Sequence, residues 1–385
     1  MHILKILFKN AFRHKLRTGL TVLSIAIAIL SFGLLRTVIS AWYAGVEASS
    51  ASRLVTRNAI SIIFSLPLSY KDKIRHIEGV NTVSYGNWFG GVYINEKNFF
   101  ANFAVEPKSY LVLYPEYRLT EDEQKAFLRD RKAFIAGRKL VERFGWKIGD
   151  IVILKGTIFP GNWEFVLRGI YKGKDKNTDE SQFLFHWDYL NETLKKKTPG
   201  RADQVGFYMI GVTKPELSTR IALHIDNTFK NSIAETLTET EKAFQMSFVS
   251  LSDAIITAIR LVSFVVIVII LAVVANTMAM TSRERIGEYA VFKTLGFGGW
   301  RIAGLIFGES LVISVMGCAA GIILTFPAAK AFGKAVGSFF PVFNVEAETL
   351  LLCVAASILV GIVSAVIPTY RAIKIPIAEG LRSIG

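Results

Sequence analysis

The chain has 385 residues, 51% of them hydrophobic, and a mean hydropathy of +0.39. That excludes an ordinary water-soluble protein and directs attention to membrane spans. The formal charge is +14, but the cations gather beside apolar runs, the pattern of the positive-inside rule, and no nucleic-acid reader motif accompanies them, so nucleic acid is not expected as a partner.

Residues 1–17 carry Lys5, Lys9, Arg13, Lys15 and Arg17, no acidic residue, and interleaved Ile and Leu. They read as a cytoplasmic amphipathic helix lying on anionic membrane lipids. Residues 18–41 form the first expected span, too long for a signal-peptide core. Arg36 lies near its far end, where a long cation snorkels to the headgroups. From 42 to 253 charged residues return and no segment could cross a membrane. Strands are expected at 60–66, 82–85, 91–94, 100–105, 151–154, 165–170 and 205–212. Helices are expected at 70–77, 120–127, 138–144, 187–196 and 214–229. Their irregular order points to an α+β domain, with a hairpin turn at Phe159-Pro160-Gly161-Asn162. An amphipathic approach at 235–251 leads to the second span.

Three further spans are expected at 254–280, 302–327 and 349–367, with a connection at 281–301, an outer loop at 328–348 and a tail at 368–385. Pro327 and Pro368 read as the ends of the third and fourth spans. The third contains two small-xxx-small pairs, Gly304/Gly308 and Gly317/Gly321, which favour close helix packing. The connection is short, charged and helical in pattern, with Gly296 placed as a C-terminal cap. The fold class is therefore a membrane protein with four transmembrane helices and a large α+β extracytoplasmic domain inserted between helices 1 and 2. Lys and Arg are concentrated in 1–17, in the connection (Arg283, Arg285, Lys293, Arg301) and in the tail (Arg371, Lys374, Arg382), against Lys330 and Lys334 in the outer loop. This bias places both termini and the connection in the cytoplasm.

The side chains offer little chemistry. His2, His14, His76, His186 and His224 have no ligand spacing, and Cys318 and Cys353 both lie in apolar runs. No catalytic, cofactor or metal residue is assigned. No GxxxxGK[ST] occurs, so energy from ATP has to enter through another subunit. Glu309 is the acidic residue inside a span, where an ion pair with a nearby cation such as Arg301, or a helix-to-helix hydrogen bond, is favoured over a proton or substrate contact.

The connection, SRERIGEYAVFKTLGF at 282–297, resembles the R-x-[RK]-E-I-G-x-x-[KR]-A-[LM]-G segment of permeases in the FtsX/MacB group of ABC transporters. Pro368, Arg371, Ala372, Pro376, Leu381 and Arg382 resemble the closing segment of the same group, with one residue of slack. IEGVNTVS at 77–84, AGRKLVERFGWKIGDIVIL from Ala136 and FVLRGIY at 165–171 resemble phrases of MacB-type domains. Thr294 stands where the group's alanine is usual. The resemblance implies a non-catalytic permease subunit of a mechanotransmission transporter in a bacterial inner membrane, related to the lipoprotein-release permeases. ATP and Mg would sit on a separate cytoplasmic ATPase. A second protomer would complete a homo- or heterodimer, with a periplasmic adaptor or lipoprotein carrier as a further partner. The substrate would be amphipathic or lipidic. An FtsX-like regulator of an extracytoplasmic cell-wall hydrolase is the alternative reading. The ATPase-coupling helix would use Arg283, Arg285, Ile286, Glu288, Tyr289, Lys293 and Leu295, because such an element needs an apolar side to seat and charges to fix register.

Overall fold

The computed structural model describes residues 11–337, 339–340 and 342–377. The expected helix at 1–17 falls largely outside them, as do Leu381 and Arg382 of the tail. Four helices are long and apolar enough to cross a membrane: Lys15–Ala48, Asp253–Glu284, Gly299–Val336 and Ala347–Lys374. A short helix, Ile286–Thr294, joins the second to the third. Two compact units result. One holds the chain up to Ala41, Ser252–Ala335 and the chain from Phe343; the other holds Trp42–Leu251 and Val336–Val342.

The prolines do not end the spans. The third helix runs through Pro327 to Val336, and the fourth runs through Pro368 to Lys374. Neighbouring helices and hydroxyl side chains can satisfy the backbone groups that proline frees at membrane depth. The third and fourth spans are also joined by a polar seam. Ser310 Oγ donates to the Gly361 carbonyl at 2.7 Å, and Ser357 Oγ donates to the Ser314 carbonyl at 2.8 Å. Cys318 and Cys353 are buried in the same seam, the thiol of Cys318 3.7 Å from the Cys353 carbonyl. At the far end, Arg36 reaches the Glu348 carboxylate at 3.5 Å. Of the glycine pairs, Gly317 and Gly321 pack against the first span: a Cβ on Gly321 would lie 2.8 Å from the Ala26 carbonyl oxygen, and one on Gly317 would lie 2.5 Å from Ile25 Cβ. Gly304 faces open space.

The other unit is built on one large mixed sheet. Its strands in chain order are β1 (Arg53–Asn58), β2 (Leu66–Pro67), β3 (Val80–Trp88), β4 (Gly91–Val92), β5 (Asn102–Val105), β6 (Tyr117–Arg118), β7 (Ala133–Gly137), β8 (Ile151–Gly156), β9 (Gly161–Gly173), β10 (Phe183–His186), β11 (Gln204–Val205), β12 (Phe207–Val212) and β13 (Thr236–Thr240). The sheet order is β13-β1-β12-β3-β5-β10-β7-β9-β8-β4, with β6 on β9, while β2 and β11 form a separate pair. β5/β10 and β7/β9 are parallel; the other pairs are antiparallel. β9 shows the period-2 burial of a half-covered strand, turning Trp163, Phe165, Leu167 and Tyr171 inward. Trp163, Phe165 and Leu167 join Phe89, Phe134, Phe183 and Phe185, Tyr171 joins a second cluster with Tyr110 and Tyr114, and edge-to-face and stacked rings dominate the core.

The helices fall where residue pattern places them, at Tyr70–Arg75, Glu121–Arg129, Arg138–Phe144, Trp187–Lys197 and Ser218–Thr228. Thr120 and Glu123 close a capping box on the second of these. The β8/β9 hairpin forms as expected, with Gly156 opposite Gly161. Three further expectations fail. Residues 60–65 are turns, and the strand of that region is β1, one step earlier. The approach at 235–251 begins as β13 and becomes the helix Glu241–Leu251 only afterwards. The outer loop is shortened by the helical residues up to Val336.

Two predictions follow from the packing. Gly321→Leu should lower the stability of the detergent-solubilised chain by about 1–3 kcal/mol, the usual cost of overpacking. Gly304→Ala should leave it unchanged; thermal unfolding followed by scattering compares the two. The second concerns His186, which is buried beside the Phe127 carbonyl, 2.6 Å from Nε2. Burial holds its pKa below the ordinary value even though that hydrogen bond pulls the other way. The unfolded chain therefore takes up a proton that the folded domain resists. Stability should be full above about pH 6.5 and fall as pH drops below it. Denaturant titrations read by tryptophan fluorescence at neutral and mildly acidic pH should show the loss, and His186→Gln should flatten it.

Candidate functional site

The second span ends at Arg285, whose φ of −103° and ψ of 12° lie between helical and extended backbone. The chain breaks there and restarts as Ile286–Thr294. The helix closes as a Schellman motif: the Phe297 N–H donates to the Phe292 carbonyl at 2.9 Å, and the Gly296 N–H to the Lys293 carbonyl at 3.1 Å. Gly296 takes φ +85°, and the Phe292 and Phe297 rings meet at 5.5 Å as the accompanying apolar contact.

At the break Arg285 turns inward and is 6% exposed. Its Nη1 donates to Glu309 Oε2 at 2.6 Å, its Nε donates to Glu288 Oε2 at 3.0 Å, and its guanidinium lies 5.5 Å from the Tyr289 ring centre. Burial opposes its charge, but Tyr289, Glu309 and Glu288 hold its pKa above the ordinary arginine value. Burial likewise opposes ionised Glu288. The hydrogen bonds from Arg13 and Arg285 outweigh it and keep that carboxyl below the usual range. Glu309 thus pairs with Arg285 and not with Arg301. Arg301 lies eight residues before Glu309 on one helix, about 12 Å along its axis, and its guanidinium sits over the Phe297 ring at 5.5 Å.

Polar bonds gather the span ends around the connecting helix. Arg13, just before the first span, hydrogen-bonds Glu288. Arg17 in the first span grips Glu284 at the end of the second with two bonds of 2.7 Å. Arg285 reaches Glu309 in the third. Lys293 Nζ donates to the carbonyls of Ile373 and Ile375 at the end of the fourth, at 2.7 and 2.8 Å. Those carbonyls close a helix C-terminus, where a cation is favoured.

The expected coupling residues therefore divide. Arg285 and Tyr289 are buried, Ile286, Glu288 and Lys293 are half-buried and face inward contacts, and Arg283 and Leu295 are exposed. The outward apolar side is made by Val291, Leu295 at 69% exposure, Phe297 and Trp300 at 91%. Arg13, Arg17 and Trp300 belong to the site and were not legible as members of it. The pairs Arg13–Glu288 and Arg17–Glu284 join residues 275 and 267 positions apart, a separation that no local pattern reveals.

A second polar cluster lies in the other unit. Arg53, which opens β1, donates from Nε to Glu241 at 2.7 Å and from Nη1 to the Leu113 carbonyl at 2.9 Å, and pairs with Glu116 at 2.7 Å. Glu241 also accepts from the Ser50 N–H and the Tyr114 hydroxyl. Burial opposes the charge of Arg53, and the carboxylates of Glu241 and Glu116 raise its pKa despite it. Ser50 and Arg53 follow the first span directly, and Glu241 opens the helix that precedes the second. The segments by which the chain enters and leaves this domain thus converge on one carboxylate.

Breaking the Arg285–Glu309 pair leaves a buried charge alone. Arg285→Met should cost about 3–5 kcal/mol, and Arg285→Met with Glu309→Leu should recover most of it, since an apolar pair can replace a buried ion pair. A double-mutant cycle on thermal unfolding in detergent measures the difference.

Residues 260–377, the second to fourth spans with the connecting helix, match the family model described as FtsX-like permease, C-terminal. The whole chain is similar to an uncharacterized ABC transporter permease of Methanocaldococcus jannaschii, 24% identical over 405 aligned positions that cover 99% of this chain and 97% of the relative. Two solved structures align with about half of this chain. The extracellular domain of the noncanonic ABC-type transporter YknZ from Gram-positive bacteria does so at TM-score 0.35 and 12% identity, covering 49% of this chain and 100% of that one. A domain of a protein described as a permease from Porphyromonas gingivalis does so at TM-score 0.34 and 13% identity, covering 50% and 92%. Residues 260–377 are thus similar to FtsX-like permease C-terminal domains, in a chain whose similarity to an ABC transporter permease runs almost from end to end.

Proposed function

We propose that this chain is the permease subunit of an ABC transporter that works by mechanotransmission. A separate ATPase, holding ATP and Mg, docks on the connecting helix from the cytoplasmic side, and two protomers pair around two such subunits. The observation that carries this reading is the connecting helix itself. Arg285 at its start bonds the third span, Glu288 bonds Arg13 just before the first, and Lys293 bonds the end of the fourth, while Val291 in the helix and Leu295, Phe297 and Trp300 just after it stay exposed. A helix of this kind cannot be displaced without moving the ends of the spans to which it is bonded. An apolar face of this composition suits a groove on a partner.

In this reading the inserted domain is extracytoplasmic and receives the motion through Ser50–Arg53 and Glu241. Because both segments share one carboxylate, they shift together. The domain then acts on an amphipathic or lipidic substrate already outside the membrane, and the spans need no channel. The bias of Lys and Arg toward the ends that carry the connecting helix supports the orientation, in an inner, cytoplasmic membrane. Arg285 and Tyr289 act as anchors of the helix, and Leu295 belongs to its contact surface.

The test is capture of the ATPase from a mild-detergent extract of the native host, followed by its stimulation in proteoliposomes. Leu295→Glu with Trp300→Glu should remove capture and stimulation without changing the unfolding temperature of the permease. Undiminished capture by that variant would falsify the assignment of this face.

A further inference from the structure

A cavity of ≈ 360 Å³ lies where the ends of the second and fourth spans meet the start of the connecting helix. Arg283, Arg371 and Lys374 line it together with apolar surface from Ala279, Ile286 and Pro368, and among the described residues no carboxylate does. Elsewhere at this end of the spans Arg13, Arg17 and Arg285 each hold a glutamate, and Arg301 lies over the Phe297 ring. Among the described residues Arg283 and Arg371 have no carboxylate partner. A helix C-terminus would ordinarily repel an anion, but the Ile373 and Ile375 carbonyls are already occupied by Lys293.

The surroundings of the cavity are those of a membrane interface. Tyr370 at its edge is exposed, with Lys374 Nζ 4.5 Å from its ring centre, and the adjoining Met280 and Ile367 are exposed apolar side chains of the second and fourth spans. Aromatic and cationic side chains together mark headgroup depth. A phosphate held by Arg283 and Arg371 would leave its acyl chains along those exposed side chains. Basic pockets between transmembrane helices are suited to anionic headgroups. An acidic side chain of a protein partner would satisfy the two guanidinium groups but would leave this lipid-facing apolar rim without a role. We propose that the cavity is a binding site for the glycerophosphate headgroup of an anionic membrane phospholipid, which fastens the second span to the fourth.

The full chain, purified in mild detergent, would be titrated with phosphatidylglycerol and with phosphatidylcholine and examined by native mass spectrometry. The wild-type chain should retain phosphatidylglycerol on the order of tenfold more tightly than phosphatidylcholine. Arg283→Gln with Arg371→Gln should abolish that preference, and Lys330→Gln with Lys334→Gln should keep it. Equal retention by the first pair, or no preference in the wild type, overturns the proposal. A second measurement covers a misfolded double variant: Ala279→Cys in an otherwise wild-type chain, labelled with maleimide in vesicles. Phosphatidylglycerol should slow the labelling severalfold over phosphatidylcholine alone. Labelling that is indifferent to the lipid, or that is blocked only when the ATPase or a second copy is added, assigns the cavity to a protein contact instead.

Discussion

The arrangement of the span unit rests on one buried ion pair. Arg285 and Glu309 are 6% and 4% exposed, and neither could be buried without the other, because an isolated charge in a poorly hydrated interior costs several kcal/mol. The pair fixes where the second span stops and which part of the third the chain returns to. It forces the backbone break at Arg285, and the break lets a short helix leave the line of the second span. The remaining contacts of that helix depend on this direction. Glu288 can face Arg13, and Lys293 can cap the fourth span, only once Arg285 has turned inward.

The inserted domain uses the same device at its base. Glu241 accepts from Arg53, Ser50 and Tyr114, and Arg53 adds Glu116 and a carbonyl. A charge network of this kind is weak evidence for stability, since well-packed apolar residues often do as well. Its advantage is geometric: directional bonds fix the relation between two segments that are 188 residues apart in the chain. Both units thus spend buried charge where segments must keep one spatial relation, and leave ordinary packing to apolar and aromatic side chains.

Much of this was legible in sequence. The four spans follow from hydropathy, and the connecting helix and its Gly296 cap follow from pattern and backbone preference. The helix at Arg138–Phe144 was placed without error because its periodicity is clean. β7 and β10 were missed for a physical reason. They are central strands covered on both faces, buried at every position, and so lack the alternation that marks a half-covered strand. β13 was missed because it is polar; Asp226 and Thr56 satisfy its threonines from across the fold. The prolines misled because a proline costs a helix one backbone hydrogen bond, which does not by itself end a long membrane span. Of the site, the connecting helix was found and the Arg285–Glu309 pair was not, since a nearer cation on the same helix looked like the natural partner.

The fastenings of the connecting helix are not equal. Arg13–Glu288 is largely open to solvent, and exposed pairs of this kind contribute about 0–1 kcal/mol. Arg17–Glu284 is bidentate and less exposed, yet still open to screening. Arg285–Glu309 is buried, and breaking it costs about 3–5 kcal/mol. Lys293 holds two carbonyls, a hydrogen bond assisted by one charge only. A force applied to the exposed side of the helix therefore finds the contacts to the first span yielding first and the contact to the third yielding last. The strongest of these links joins the start of the helix to the third span, and the weakest joins the helix to Arg13 before the first. Gly317 and Gly321 bring the first and third spans into backbone contact, so close packing holds the first span to the third where its polar link to the helix is weak.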